Sequence, residues 1–117
     1  MKFFRFLIIF IFLTTSIKAD INENLINNIK KDGSFIFIRH AYAPGNGDPN
    51  NFEINNCATQ RNLNDKGKKQ AKKIGIILKK LGINDNKVYS SEWCRCQDTA
   101  KLAFGEYKNL NYLNSFF

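Results

Sequence analysis

The chain has 117 residues, 44% hydrophobic and 24% charged, with a formal net charge of +8, which excludes a multidomain protein, a disordered polyelectrolyte and a collagen-like fibre. Its single histidine, His40, excludes a metal site built on two or more His ligands. Three cysteines are too few for a disulfide-framework miniprotein and leave one over.

Lys2 and Arg5 precede an unbroken apolar run from Phe6 to Leu13, followed by Thr14, Thr15, Ser16 and small Ala19. The run falls far short of the ~20 residues a membrane span needs. This pattern predicts a secretory signal peptide over residues 1–19, cleaved after Ala19. The domain would then cover residues 20–117, periplasmic or secreted, with no stable membrane anchor after cleavage. Export also permits disulfides.

Residues 20–31 carry Ile21, Leu25 and Ile29 at helical spacing, with Gly33 as a left-handed stop. Residues 34–38 form a continuous apolar run, the mark of a strand covered on both faces. It ends in Arg39-His40. Residues 41–62 have no apolar period and hold Pro44, Pro49, Gly45 and Gly47; so long a loop is expected to be a functional lid or a disordered stretch. Asn64 caps a helix whose inward stripe is Gly67, Ala71, Ile74, Leu78 and Leu81, ended by Gly82. Residues 87–90 read as a second strand. Ser91 can cap a further helix with an inward stripe of Trp93, Cys96, Ala100 and Ala103, stopped by Gly105, and residues 107–113 suggest a third strand. This alternation argues for an α/β fold with a parallel sheet. Three strands make a thin sheet, so the chain reads as the front part of a longer domain, incomplete at the C-terminus.

Ligands of open α/β sheets sit beyond the carboxyl ends of the strands. Arg39 and His40 fall there on the first strand, Ser90, Ser91 and Arg95 at or just after the second, and Arg61 where the long loop enters a helix. These are all the arginines that follow the leader. Arg is suited to forked recognition of phosphate, whereas exposed Lys mostly solvates. A histidine among arginines is held neutral, with a ring nitrogen free to attack phosphorus. The lysines on the outer face of the helix that Asn64 caps, Lys66 to Lys80, lack interleaved aromatics and read as a solvated face, so no nucleic acid is expected as partner. Gly45 and Gly47 open no helix, which argues against a dinucleotide fingerprint. Cys94 and Cys96 are not spaced as a redox or zinc pair. Cys57 in the long loop is placed to bond Cys94 or Cys96 beside the same pocket; Cys94 is preferred because Cys96 lies on the inward stripe.

Three ordered segments resemble one family. Phe37-Ile38-Arg39-His40-Ala41 resembles the Arg-His-Gly signature of the histidine phosphatase (phosphoglycerate mutase-like) superfamily. The run from Leu63 through Gly67 to Gln70-Ala71 is similar to its Leu-x-x-x-Gly-x-x-Gln-Ala helix. Ser91-Glu92-Trp93-Cys94-Arg95-Cys96-Gln97-Asp98-Thr99-Ala100 is similar to its Ser-x-x-x-Arg-Ala-x-x-Thr-Ala signature. The resemblance implies a three-layer α/β sandwich with a mainly parallel sheet. It implies a phosphatase acting on a phosphorylated small molecule or phosphoprotein, with no cofactor and no metal. His40 would carry the phosphoryl group, Arg39 and Arg95 would clamp its oxygens, and Arg61 and Ser90 would bind substrate.

The chain departs from the family pattern at Ala41, where Gly is usual, and at Cys96, where Ala is usual. It also lacks the second histidine that the family uses late in the fold. Tyr42-Ala43-Pro44 does not match the Arg-x-Pro of the acid phosphatase and phytase branch. Two other readings stay open: a catalytically inactive or phosphate-binding remnant of the same fold, and a basic protein that binds anionic polymers.

Overall fold

The computed structural model describes residues 22–83 and 87–115; the leader at 1–19 lies outside them. Helix α1 (Glu23–Ile29) begins where the Asn22 side chain accepts the Asn24 N–H at 2.9 Å. It buries none of its residues, and Leu25 of the expected stripe is exposed. Lys30 closes the helix. Gly33, with φ +82°, sits instead in the turn that follows, where Ser34 N–H donates to the Lys31 carbonyl.

Residues 34–38 form no regular element and pair with no strand among the described residues. Phe35 and Phe37 are 83% and 86% exposed, which corrects the expectation of a covered strand. The physical reason is that nothing described lies against its edges or outer face: α1 contributes no cover, and the ladder present involves other segments.

Helix α2 (Asp65–Lys80) starts as its cap predicts, with Gly67 N–H donating to Asn64 Oδ1 at 3.0 Å. It ends at Leu81, followed by Gly82 at φ +69°. Its buried line is Gly67, Ala71 and Gly75, with Ile74 and Leu78 half-buried. Strand β1 (Tyr89–Ser90), helix α3 (Cys94–Phe104) and strand β2 (Lys108–Asn109) form a parallel crossover unit. The ladder is carried by Lys108 N–H to Val88 and Leu110 N–H to Ser90. The expected third strand is thus shorter than predicted and gives way to a 3-10 turn, Asn111–Leu113. Helix α3 is capped by Trp93, whose side chain makes no capping bond, and not by Ser91, and Gly105 at φ +84° stops it.

Helices α2 and α3 pack together at a close crossing, where a Cβ on Gly75 would overlap the Ala103 carbonyl. The small core is Ala41, Ala43, Leu63 and Ala71, with Leu102 against it. The residues just after His40 are therefore gripped between α2 and α3.

The stretch 41–62 is cross-linked rather than disordered. Gln60 is buried; its amide donates to the Glu53 and Ile54 carbonyls, and its Oε1 accepts the Cys94 N–H at 2.9 Å. Thr59 Oγ1 accepts from Glu53 N–H. A disulfide joins Cys57 to Cys94, with Cα atoms 5.6 Å apart, and Cys96 is free and half-buried. The loop is thus bonded to the first residue of α3, next to Arg95.

Candidate active site

His40 follows this unpaired segment, and the next two residues fix where it stands. Ala41 N–H donates to Thr99 Oγ1 at 2.9 Å, and that hydroxyl donates to the Arg95 carbonyl one turn back on α3. Tyr42 N–H donates to Gln70 Oε1 at 2.7 Å on α2. Gly67 allows α2 to approach, since a Cβ there would overlap the Tyr42 carbonyl. Both helices therefore bond the backbone that carries the histidine.

The imidazole Nδ1 lies 2.7 Å from the Ala41 carbonyl oxygen. A carbonyl only accepts, so Nδ1 bears the proton and the neutral ring keeps its lone pair on Nε2. Burial pushes the His40 pKa below the usual value of 6.5; the Ala41 hydrogen bond opposes this, and the charges of Arg95, Arg61 and Arg39 add to it. The four effects that lower the pKa favour the neutral, nucleophilic form at neutral pH.

His40 opens onto a cavity of about 730 Å³ that Arg39, Arg61 and Arg95 also line. Arg39 is exposed and free of hydrogen bonds among the described residues. Arg95 is 8% exposed and tightly held. Its Nη1 donates to Asp48 Oδ1 at 2.9 Å and to the Arg61 carbonyl at 3.4 Å, and the guanidinium lies 4.5 Å over the Trp93 ring. Its Nε is buried without a partner among the described residues.

Arg61 is used differently. Its Nε donates to the Gly47 carbonyl at 2.8 Å, and its Nη1 donates to Ala43 at 2.7 Å and Gly45 at 3.2 Å. The guanidinium therefore shapes the loop, leaving Nη2 as its group without an acceptor among the described residues. Ser90 does not line the cavity: its hydroxyl is buried and donates to the Ser91 carbonyl, whereas Ser91 itself is in the wall. Cys96 also faces the cavity rather than the core. Phe52 and Trp93, with ring centroids 4.8 Å apart, give the wall an apolar side.

The model of the histidine phosphatase superfamily (branch 1) matches residues 35–112. The chain belongs to this superfamily. No curated protein and no solved structure matches it.

Membership makes this a phosphatase-type protein of the phosphoglycerate mutase-like α/β fold, a superfamily that acts on phosphorylated substrates. The two-stranded parallel sheet and three α-helices are an incomplete version of that architecture among the described residues. Sequence reasoning did not single out Asp48, which no periodicity or motif marks. Thr99 and Gln70 are visible in the sequence only as motif letters; the structure gives them the backbone N–H groups of residues 41 and 42.

Proposed function

We propose that the protein is an exported phosphatase that hydrolyses a phosphomonoester or phosphoprotein through a phosphohistidine on His40. The observation that carries this reading is the pairing, in one cavity, of a neutral-favoured His40, with Nδ1 committed to a carbonyl, and the guanidinium-bearing Arg95. Phosphoryl transfer needs positioning and charge neutralisation above all.

In the first step Nε2 forms a bond to phosphorus, the bond from phosphorus to the leaving oxygen breaks, and that oxygen takes a proton from solvent. In the second step water attacks phosphorus, the N–P bond breaks, and phosphate leaves with the ring restored to its neutral form. Arg39 and Arg95 carry the charge of the transferred group, with Arg61 adding field from the loop. Export rests on the leader pattern at residues 1–19, and exported protein should begin at Asp20.

The test is steady-state hydrolysis of p-nitrophenyl phosphate by the full chain and its variants. His40→Ala should abolish turnover, and Arg95→Ala should lower the rate by on the order of 10²–10³, as for other lost charge-stabilising donors. Unchanged turnover in His40→Ala would refute the reading. The presence of one histidine alone favours a second reading, a phosphate-binding protein without turnover. A single burst of product followed by no further release would select it. Salt-sensitive binding of an anionic polymer that phosphate does not displace would select the basic binder instead.

A further inference from the structure

We infer that Asp48 is a positioning residue: it holds Nη1 of Arg95 and so fixes the guanidinium in the wall of the cavity, where it meets the phosphoryl group of the substrate. The inference rests on the phosphatase reading for its ligand but not for its geometry.

Asp48 Oδ1 accepts two donors, Arg95 Nη1 at 2.9 Å and Arg61 N–H at 2.8 Å. One oxygen thus ties together two of the three arginine-bearing segments of the cavity. The pair is buried, with side chains of Arg95 and Asp48 10% and 9% exposed. A guanidinium buried to that degree without a counter-charge would turn towards water or drive the loop outward. With Asp48 on Nη1 and the Trp93 ring under its face, the orientation of Arg95 is fixed, with its Nε buried and without a partner among the described residues.

The loop that delivers Asp48 is itself fixed next to that carboxylate. Arg61 Nε holds the Gly47 carbonyl, and Gly45 and Gly47 adopt φ of +88° and +65° to turn the chain there. Farther along, the Cys57–Cys94 bond joins the same loop to the residue before Arg95. The carboxylate is therefore a fixed bracket placed beside the anion site, not a loop charge that happens to lie near it.

Two other roles predict opposite results. If Asp48 competed with the anion for Arg95, removing its charge in any way would tighten phosphate binding. If it served only the fold, folded variants would bind as wild type does.

The experiment measures binding of inorganic phosphate to the full chain by the imidazole NMR signals of His40, the single histidine. The Nε–H signal of Arg95 is followed in the same samples. Asp48→Ala should weaken phosphate binding by on the order of 10–10²-fold, the scale set by a misplaced binding group, and should lose the slowly exchanging Arg95 Nε–H. Asp48→Asn keeps an acceptor oxygen in place and should rescue both, with phosphate bound as tightly as in wild type or more tightly. Tighter binding by both variants, or wild-type binding by Asp48→Ala, overturns the inference.

Should Asp48→Ala fail to fold, Asp48→Asn and Asp48→Glu decide. The first must bind as wild type and the second, whose carboxylate reaches one methylene too far, more weakly; the reverse order overturns the inference. If wild type binds no phosphate at all, the phosphatase reading fails. The Arg95 Nε–H signal then still tests Asp48: persistence in Asp48→Ala overturns the bracket and loss supports it.

Discussion

Gly67 and Gly75 test how closely α2 is applied to the rest of the molecule, because two opposed effects can be weighed at each. Replacing a helical Gly by Ala ordinarily stabilises by about 1 kcal/mol. Here the new Cβ would lie 2.9 Å from the Tyr42 carbonyl carbon at Gly67 and 2.7 Å from that of Ala103 at Gly75, with each oxygen nearer still. Both obstacles are backbone and cannot rotate aside, so the helix must move, at a cost of about 1–3 kcal/mol for overpacking. Each variant should therefore be destabilised by up to about 2 kcal/mol once the propensity gain is subtracted. Lys69→Ala compared with Lys69→Gly on the exposed side of α2 calibrates the propensity term. Urea denaturation supplies the stabilities, and phosphate binding supplies the second readout. Gly67→Ala pushes on the residue that follows His40-Ala41 and should weaken phosphate binding. Gly75→Ala pushes on α3 at Ala103, away from the cavity residues, and should lose stability with affinity retained. A gain of about 1 kcal/mol in both variants, equal to the exposed reference, would refute the close approach.

His40 should titrate with a midpoint below 6.5 in the folded chain, and near the ordinary value in urea, as read from its imidazole signals. Because the folded pKa is depressed, the unfolded state takes up the proton first as pH falls. The stability contributed by the neutral ring is full above the unfolded pKa and is lost as pH falls through the folded one; a urea midpoint independent of pH in this window, or as steep in His40→Asn, would contradict this. Thr99→Val leaves the buried Ala41 N–H without an acceptor and should cost about 1–3 kcal/mol, with faster hydrogen exchange at Ala41, while Thr99→Ser should keep that amide protected. Reduction of the Cys57–Cys94 bond, which spans 37 residues, should lower stability by up to roughly 4 kcal/mol in the chain-entropy account; a urea midpoint indifferent to reductant would contradict this.

The parts of the fold that can be read from the sequence are those set by local chemistry. Asn64 and Gly82 bracket α2 within a residue because a cap oxygen and a left-handed glycine act on their own neighbours. The crossover β1–α3–β2 follows from short apolar runs alternating with a helical period. The segment at 34–38 reads equally clearly as a strand, yet pairing is not a local property. Its apolar run marks a need for partners, and no sequence period says whether the described residues supply them.

At the site, residue type predicts convergence better than it predicts function. Arg39, His40, Arg61 and Arg95 do meet in one cavity. What each guanidinium does there depends on carbonyl groups, which leave no trace in the sequence. Arg61 turns to the Ala43, Gly45 and Gly47 carbonyls, and Arg95 keeps its Nε unpartnered. The exchange of Ser90 for Ser91 is the same lesson at single-residue scale: adjacent residues at the end of a strand point to opposite sides, so an offset of one decides which hydroxyl meets the cavity. Asp48 is least legible, since a loop carboxylate becomes part of an anion site only when a distant helix brings Arg95 to it across 47 residues of chain. A carboxylate beside an anion site looks unfavourable by charge alone. It fits here because it takes one nitrogen of a guanidinium and fixes the group in the cavity wall, so the geometry of the fork rather than the net charge governs what the cavity can hold.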